Sequence, residues 1–113
     1  MIEKIIIEYL LAQLGLDIGV FAEKPETSMQ RYVVIEKTGS SRENFINTAT
    51  VTIQSYAESM YEAAVLNEQV KQAMDKMAEL PNVSKSELNS DYNFTDTAKK
   101  EYRYQAVYDI TYF

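Results

Sequence analysis

Glu87, Asp91 and Asp96 fall within one short stretch and are the chain's nearest approach to a reactive constellation. Carboxylate sets of this kind can hold magnesium or calcium, and with a lysine nearby they can serve metal-assisted hydrolysis. Acidic residues between strands more often form turns and keep their side chains in water, and these three are read that way. The chain contains neither histidine nor cysteine. It therefore lacks the commonest general base, the commonest transition-metal ligand, and any thiolate nucleophile or disulfide. Its three glycines, at positions 15, 19 and 39, are too dispersed to cradle a phosphate. Neither a Gly-x-Ser-x-Gly elbow nor a Ser-x-x-Lys pair is present to activate a serine. No catalytic, cofactor-binding or metal-ligating residue is assigned, no cofactor is expected, and the chain is read as a non-enzyme.

Charge narrows the choice of partners. The net charge is −6, and the eleven Lys and Arg residues are scattered. Lys99-Lys100 with Arg103 is the nearest thing to a basic cluster, and it reads as a solvated turn. Proteins that hold nucleic acid stably concentrate their cations, because neutralised phosphates supply most of the affinity. Specific DNA binding is therefore not expected.

The elements that must carry these side chains fit one domain, residues 1–113, with 46% hydrophobic and 25% charged content. The apolar run Ile5 to Leu11 is interrupted by Glu8 and falls far short of the roughly 20 residues of a membrane span. The chain opens at Met1 without a basic leader and cleavage site. A protein that remains in the cytoplasm until assembled is the expectation, with no membrane partner.

Ile2, Ile5, Ile6, Tyr9, Leu10 and Leu14 recur at helical spacing, which predicts a first helix over 2–14 ended by Gly15. A short extended piece is expected over 18–22, then a polar loop over 23–30. Tyr32 to Ile35 predict a strand over 31–38, bounded by Gly39. Residues Gly39 to Asn44 read as a mobile hairpin loop, available to order against a neighbour. Beyond it Ala49, Val51, Ile53 and Ser55 alternate with Thr48, Thr50, Thr52 and Gln54, so one face meets a core and the other meets water or a partner. Ser59 and Glu62 fit a capping box that starts a second helix, running to Leu80 before Pro81. Two strands complete the chain, the first from Val83 irregularly to Phe94, the second from Glu101 to Phe113, with the turn over 95–100. The predicted class is α+β in the order α-β-β-β-α-β-β, with two helices on one face of a mostly antiparallel sheet.

Nine tyrosines are present, and Tyr92, Tyr102, Tyr104, Tyr108 and Tyr112 cluster near the end of the sequence. Cross-strand packing over the helices accounts for such a stripe. Tyrosine also favours places where one end of a side chain is dry and the other wet, as at subunit contacts.

Three stretches carry a resemblance. They are Arg31-Tyr-Val-Val-Ile-Glu-Lys-Thr-Gly39, then Ala49-Thr-Val-Thr-Ile-Gln-Ser-Tyr-Ala-Glu-Ser59 leading into Glu62-Ala-Ala, and Arg103-Tyr-Gln-Ala-Val-Tyr-Asp-Ile-Thr-Tyr112 preceded by Tyr92-Asn-Phe94. In this order, over nearly the whole chain, they resemble the tail-terminator or tail-completion proteins of lambda-like long-tailed bacteriophages and prophages. The resemblance implies a structural virion subunit, assembled in the bacterial cytoplasm and located in the tail or neck. It would form a ring, expected to be a hexamer, that caps the tail tube, stops polymerisation of the major tail tube protein and meets the head connector. DNA would pass through the ring without specific binding. Its alternatives are another neck or head-completion protein of the same virion, a small metal-dependent enzyme such as a nuclease, and a monomeric host binding module.

Overall fold

Helix α1 forms over Ile2–Leu14 in a computed structural model that describes residues 1–15, 17–26 and 30–113. The stripe Ile2, Ile6 and Leu10 is buried, as the spacing requires. Gly15 ends the helix with φ at +94°, a backbone conformation that side-chain-bearing residues rarely adopt. Of the expected loop over 23–30, residues 27–29 lie outside the described residues, as does Leu16.

The strands are β1 (Gly19–Phe21), β2 (Tyr32–Glu43), β3 (Ile46–Ala57), β4 (Val83–Asn93) and β5 (Tyr102–Tyr112). They make one sheet in the order β1-β2-β3-β5-β4. β1 runs parallel to β2, and every other pairing is antiparallel. Helix α2 (Met60–Asp75) lies between β3 and β4 in sequence, which completes the expected α-β-β-β-α-β-β order.

Alternation selects the core. Val33 and Ile35 of β2, Ala49, Val51 and Ile53 of β3, and Ala106, Tyr108 and Ile110 of β5 point to one side of the sheet. There they join Ile2, Ile6 and Leu10 of α1 with Leu66, Val70, Ala73 and Met74 of α2 in a single cluster. Both helices therefore pack on the same face.

Helix α2 starts as its capping residue dictates. Ser59 is extended, and its hydroxyl accepts the Glu62 amide at 3.1 Å. Glu62 turns its carboxylate to Arg31, at 3.3 Å, so the other half of the capping box is exchanged for an ion pair. The α-helix stops at Asp75, short of the expected Leu80. Lys76 leaves helical geometry and a 3₁₀ turn continues over Met77–Glu79, closed by Glu79 and Leu80 amides at 3.0 Å. That tighter winding drops Met77 into the core and turns the chain toward β4.

Three hydroxyls from other elements reach the backbone carbonyls of the last turns of α2. Tyr9 of α1 donates to Ala73 O at 2.6 Å, and Ser86 of β4 donates to Met74 O at 2.8 Å. The Tyr108 hydroxyl of β5 lies 3.2 Å from Lys71 O and 2.9 Å from Asp75 Oδ1. Helix ends carry carbonyls without complete intrahelical partners, so these contacts fix both the height and the rotation of α2 on the sheet.

The first hairpin corrects an expectation. Gly39 to Asn44 is not a loop: β2 continues to Glu43, paired with Ile46, and the reversal takes only Asn44 and Phe45. Both turn residues have positive φ, 51° and 67°, the hand that matches strand twist in a tight hairpin. Gly39 lies beside a register shift between Lys37 and Gly39 and does not end the strand. The polar sequence misleads because the pairing partner, β3, supplies what the side chains do not. A twelve-residue strand at about 3.3 Å per residue spans about 40 Å, so the hairpin must lie along the 45 Å axis of the molecule.

Burial, with a contribution from Asp75, raises the pKa of Tyr108 well above its ordinary value of 10.0. The folded chain thus keeps a proton that the unfolded chain releases near pH 10. This stabilisation is complete below pH 10 and is lost as pH rises further. Tyr108→Phe is expected to cost about 1–2 kcal/mol at neutral pH through the lost hydrogen bond. It should also flatten the fall in stability above pH 10. Urea midpoints measured between pH 7 and 11 test both.

Candidate functional site

The acidic trio does not converge. Glu87 pairs along its own strand with Lys85 at 3.2 Å. Asp91 sits beside α2, where it accepts from Lys71 at 3.0 Å and from Asn67 at 3.1 Å. Asp96 lies in the β4–β5 connection, exchanging backbone bonds with Glu101 and accepting the Lys99 amide at 3.2 Å. Among the described residues no group of three or more carboxylates comes together as a metal site. Each of these acids is instead held by a local partner.

The basic cluster also divides. Lys99 and Lys100 are exposed in the turn, with Lys100 at a positive φ of 52°. Arg103 turns onto the helix-free face of the sheet, where its guanidinium lies 4.5 Å from the Phe94 ring centre and 5.7 Å from that of Tyr56. Its Nε donates to Phe94 O at 2.7 Å, while Nη1 reaches Glu101 at 3.0 Å and the Tyr56 hydroxyl at 3.2 Å. A planar cation suits this position because it can stack and donate at once.

Arg103 belongs to a second, smaller cluster. Tyr32 and Tyr56 face each other across β2 and β3 with stacked rings 4.6 Å apart, and Phe21 meets Tyr32 edge-on at 6.3 Å. Gln54 and Gln105 bridge β3 to β5 at 2.9 Å, and Gln105 continues to the Tyr92 hydroxyl. Lys24 closes the cluster from the segment after β1 by binding Glu101 at 2.8 Å. Tyr32 and Tyr56 are buried on a face that no helix among the described residues covers. Burial raises the pKa of Tyr32. Alternation in the sequence places these residues on one side of the sheet, but no local signal shows that the β4–β5 turn and the segment after β1 fold over them.

The tyrosine stripe serves two purposes. Tyr108 is core and Tyr112 packs against it, whereas Tyr92 is exposed and stands edge-on to Phe94 at 6.0 Å. Large apolar groups are exposed in several places, Met1, Leu11 and Leu88 among them. Phe45, 80% exposed, marks the hairpin tip, with Arg42 stacked at 5.5 Å from its ring. Met60, Tyr61, Tyr92 and Phe94 are exposed at the opposite end.

The sheet's sides are open. Among the described residues β4 is paired only with β5 along its whole length. β1 covers β2 only at residues 32–34, so residues 35–43 are paired only with β3. Exposed strand edges offer unsatisfied amides and carbonyls to another chain.

No helix among the described residues is long and apolar enough to cross a membrane. No family model matches the chain, and a search of curated proteins finds none similar to it.

Replacing Arg103 by Lys keeps the charge and loses the flat, multiply donating group. Arg103→Lys is expected to lower stability by about 1–2 kcal/mol. It should also loosen the β4–β5 turn, seen as faster tryptic cleavage after Lys99 and Lys100 than in the parent protein.

Proposed function

We propose that this chain is a structural subunit of a long-tailed bacteriophage: a ring-forming tail terminator that caps the tail tube, stops its growth and joins it to the head connector. The observation that carries the reading is the pair of strand edges, on opposite sides of one sheet, that no strand among the described residues covers. A head-to-tail contact repeated around an axis needs two different surfaces on each copy, facing away from each other. Exposed apolar groups at both ends of the long axis give separate surfaces for a tube below and a connector above.

The three stretches that resemble tail terminators agree with this arrangement. Arg31–Gly39 and Ala49–Ser59 fall on the β2–β3 pair and the cap of α2, and Arg103–Tyr112 falls on β5. They are scaffold positions, so the resemblance speaks for a shared frame and not for a reactive centre. The negative charge of the chain suits a ring through which DNA slides without being held. The mechanism is steric and interfacial: no bond is made or broken.

Concentrated protein, alone or mixed with sheared tail tubes, is expected to form rings with a central hole by negative-stain microscopy and native mass spectrometry. Removal of the gene from its phage should give tails of uncontrolled length and heads without tails. Tails of normal length that fail to attach to heads would move the subunit to a neighbouring ring of the neck. Normal virions would overturn the reading.

A further inference from the structure

We infer that neighbouring copies join by antiparallel pairing of β4 with residues 35–43 of β2 in the next copy, in one defined register. The inference rests on the ring reading above and specifies its contact. Four independent features of the two edges agree on it.

Strand direction is the first. β2, β3, β5 and β4 alternate in direction, so β4 runs opposite to β2. A second copy in the same orientation beside β4 therefore presents an antiparallel strand, the more stable pairing. The phase of the backbone groups is the second. Glu43 and Ile46 flank a two-residue turn and form a hydrogen-bonded pair, so Arg42 and Ser40 direct their amides and carbonyls away from β3. On β4 the Phe94 amide bonds to Arg103 O at 2.9 Å, and at the other end the Phe113 amide bonds to Asn82 O at 3.0 Å. Counting inward from both, Ser86, Leu88 and Asp91 direct theirs away from β5.

Irregularities are the third feature. Between Lys85 and Asp91 on β4, and between Lys37 and Glu43 on β2, each edge carries one extra residue, Asn89 and Thr38 respectively. Setting Leu88 opposite Ser40 of the next copy places these two bulges at the same level, so neither breaks the ladder. Charge is the fourth. The same register sets Lys85 opposite Glu43 and Asp91 opposite Lys37, with no like charges directly opposed. Side chains that face the helices on one copy continue onto the helix side of the next.

The chain has no cysteine, which makes the contact open to a clean cross-linking test. Glu87 and Ser41 of the next copy become a non-hydrogen-bonded pair, with Cα atoms about 4.5 Å apart, within the range a disulfide spans. Inside one copy they lie on opposite edges, about 14 Å apart at about 4.8 Å per strand spacing, too far to bridge. Both positions are exposed, so the variant should fold as the parent does.

Mild oxidation of the Glu87→Cys/Ser41→Cys double variant should give a ladder of covalent multimers ending at the ring size. The shifted pair Glu87→Cys/Gly39→Cys should cross-link at least ten-fold more slowly. Rings of the parent protein without this ladder would overturn the register and leave the ring reading standing. A product that stops at the dimer would replace the head-to-tail contact by a two-fold one and overturn the inference. Absence of both ladder and rings, even on tail-tube ends, would overturn the inference and the ring reading together.

Discussion

A sheet with helices on one side only has to find another cover for the side chains that alternation sends to its other side. In this chain that constraint governs the core, the polar cluster and the open edges alike. The helix side collects the aliphatic residues of β2, β3 and β5 into the core. On the other side, aromatic rings, an arginine and two glutamines are packed against one another and roofed by the β4–β5 turn. The arginine and both glutamines are held by polar partners there, as removal from water demands. The cost of this arrangement is an open outline: among the described residues no helix is left over to shield the strand edges.

The helix side has its own fixed point. Hydroxyls from α1, β4 and β5 meet the carbonyls of the last turns of α2, so one helix end is tied to three separate elements. Because these bonds are directional, α2 cannot slide along its apolar contacts. Asn67 and Lys71 on α2 then reach Asp91 and pin β4, the outermost strand, against the helix. An edge strand held in this way stays ordered enough to receive another strand, whereas a free one would fray.

The acidic residues that might have served a metal are spread over a strand, a helix contact and a turn, each with its own partner. Apolar groups are exposed at the hairpin tip and around the start of α2, and among the described residues β4 and much of β2 have a pairing partner on one side only. The proposed ring subunit would use that division, with lateral contacts between copies and axial contacts to tube and connector.

Periodicity located α1 and the alternating faces of β3 and β5, where side-chain spacing matches the backbone repeat, and the Ser59–Glu62 motif located the start of α2, because each is a short-range pattern. The hairpin from Gly39 to Asn44 was not legible: its polar residues are held in a strand by pairing with β3, a partner that local sequence does not reveal. Nor was the cluster around Arg103, whose members come from five separate segments and meet only when the β4–β5 turn folds back. The order of residue types was enough to set the class of fold and the apolar side of each strand. Three-dimensional folding settled which polar residues are buried, which carboxylates stay apart and which edges remain open, since these depend on distances between segments remote in the chain.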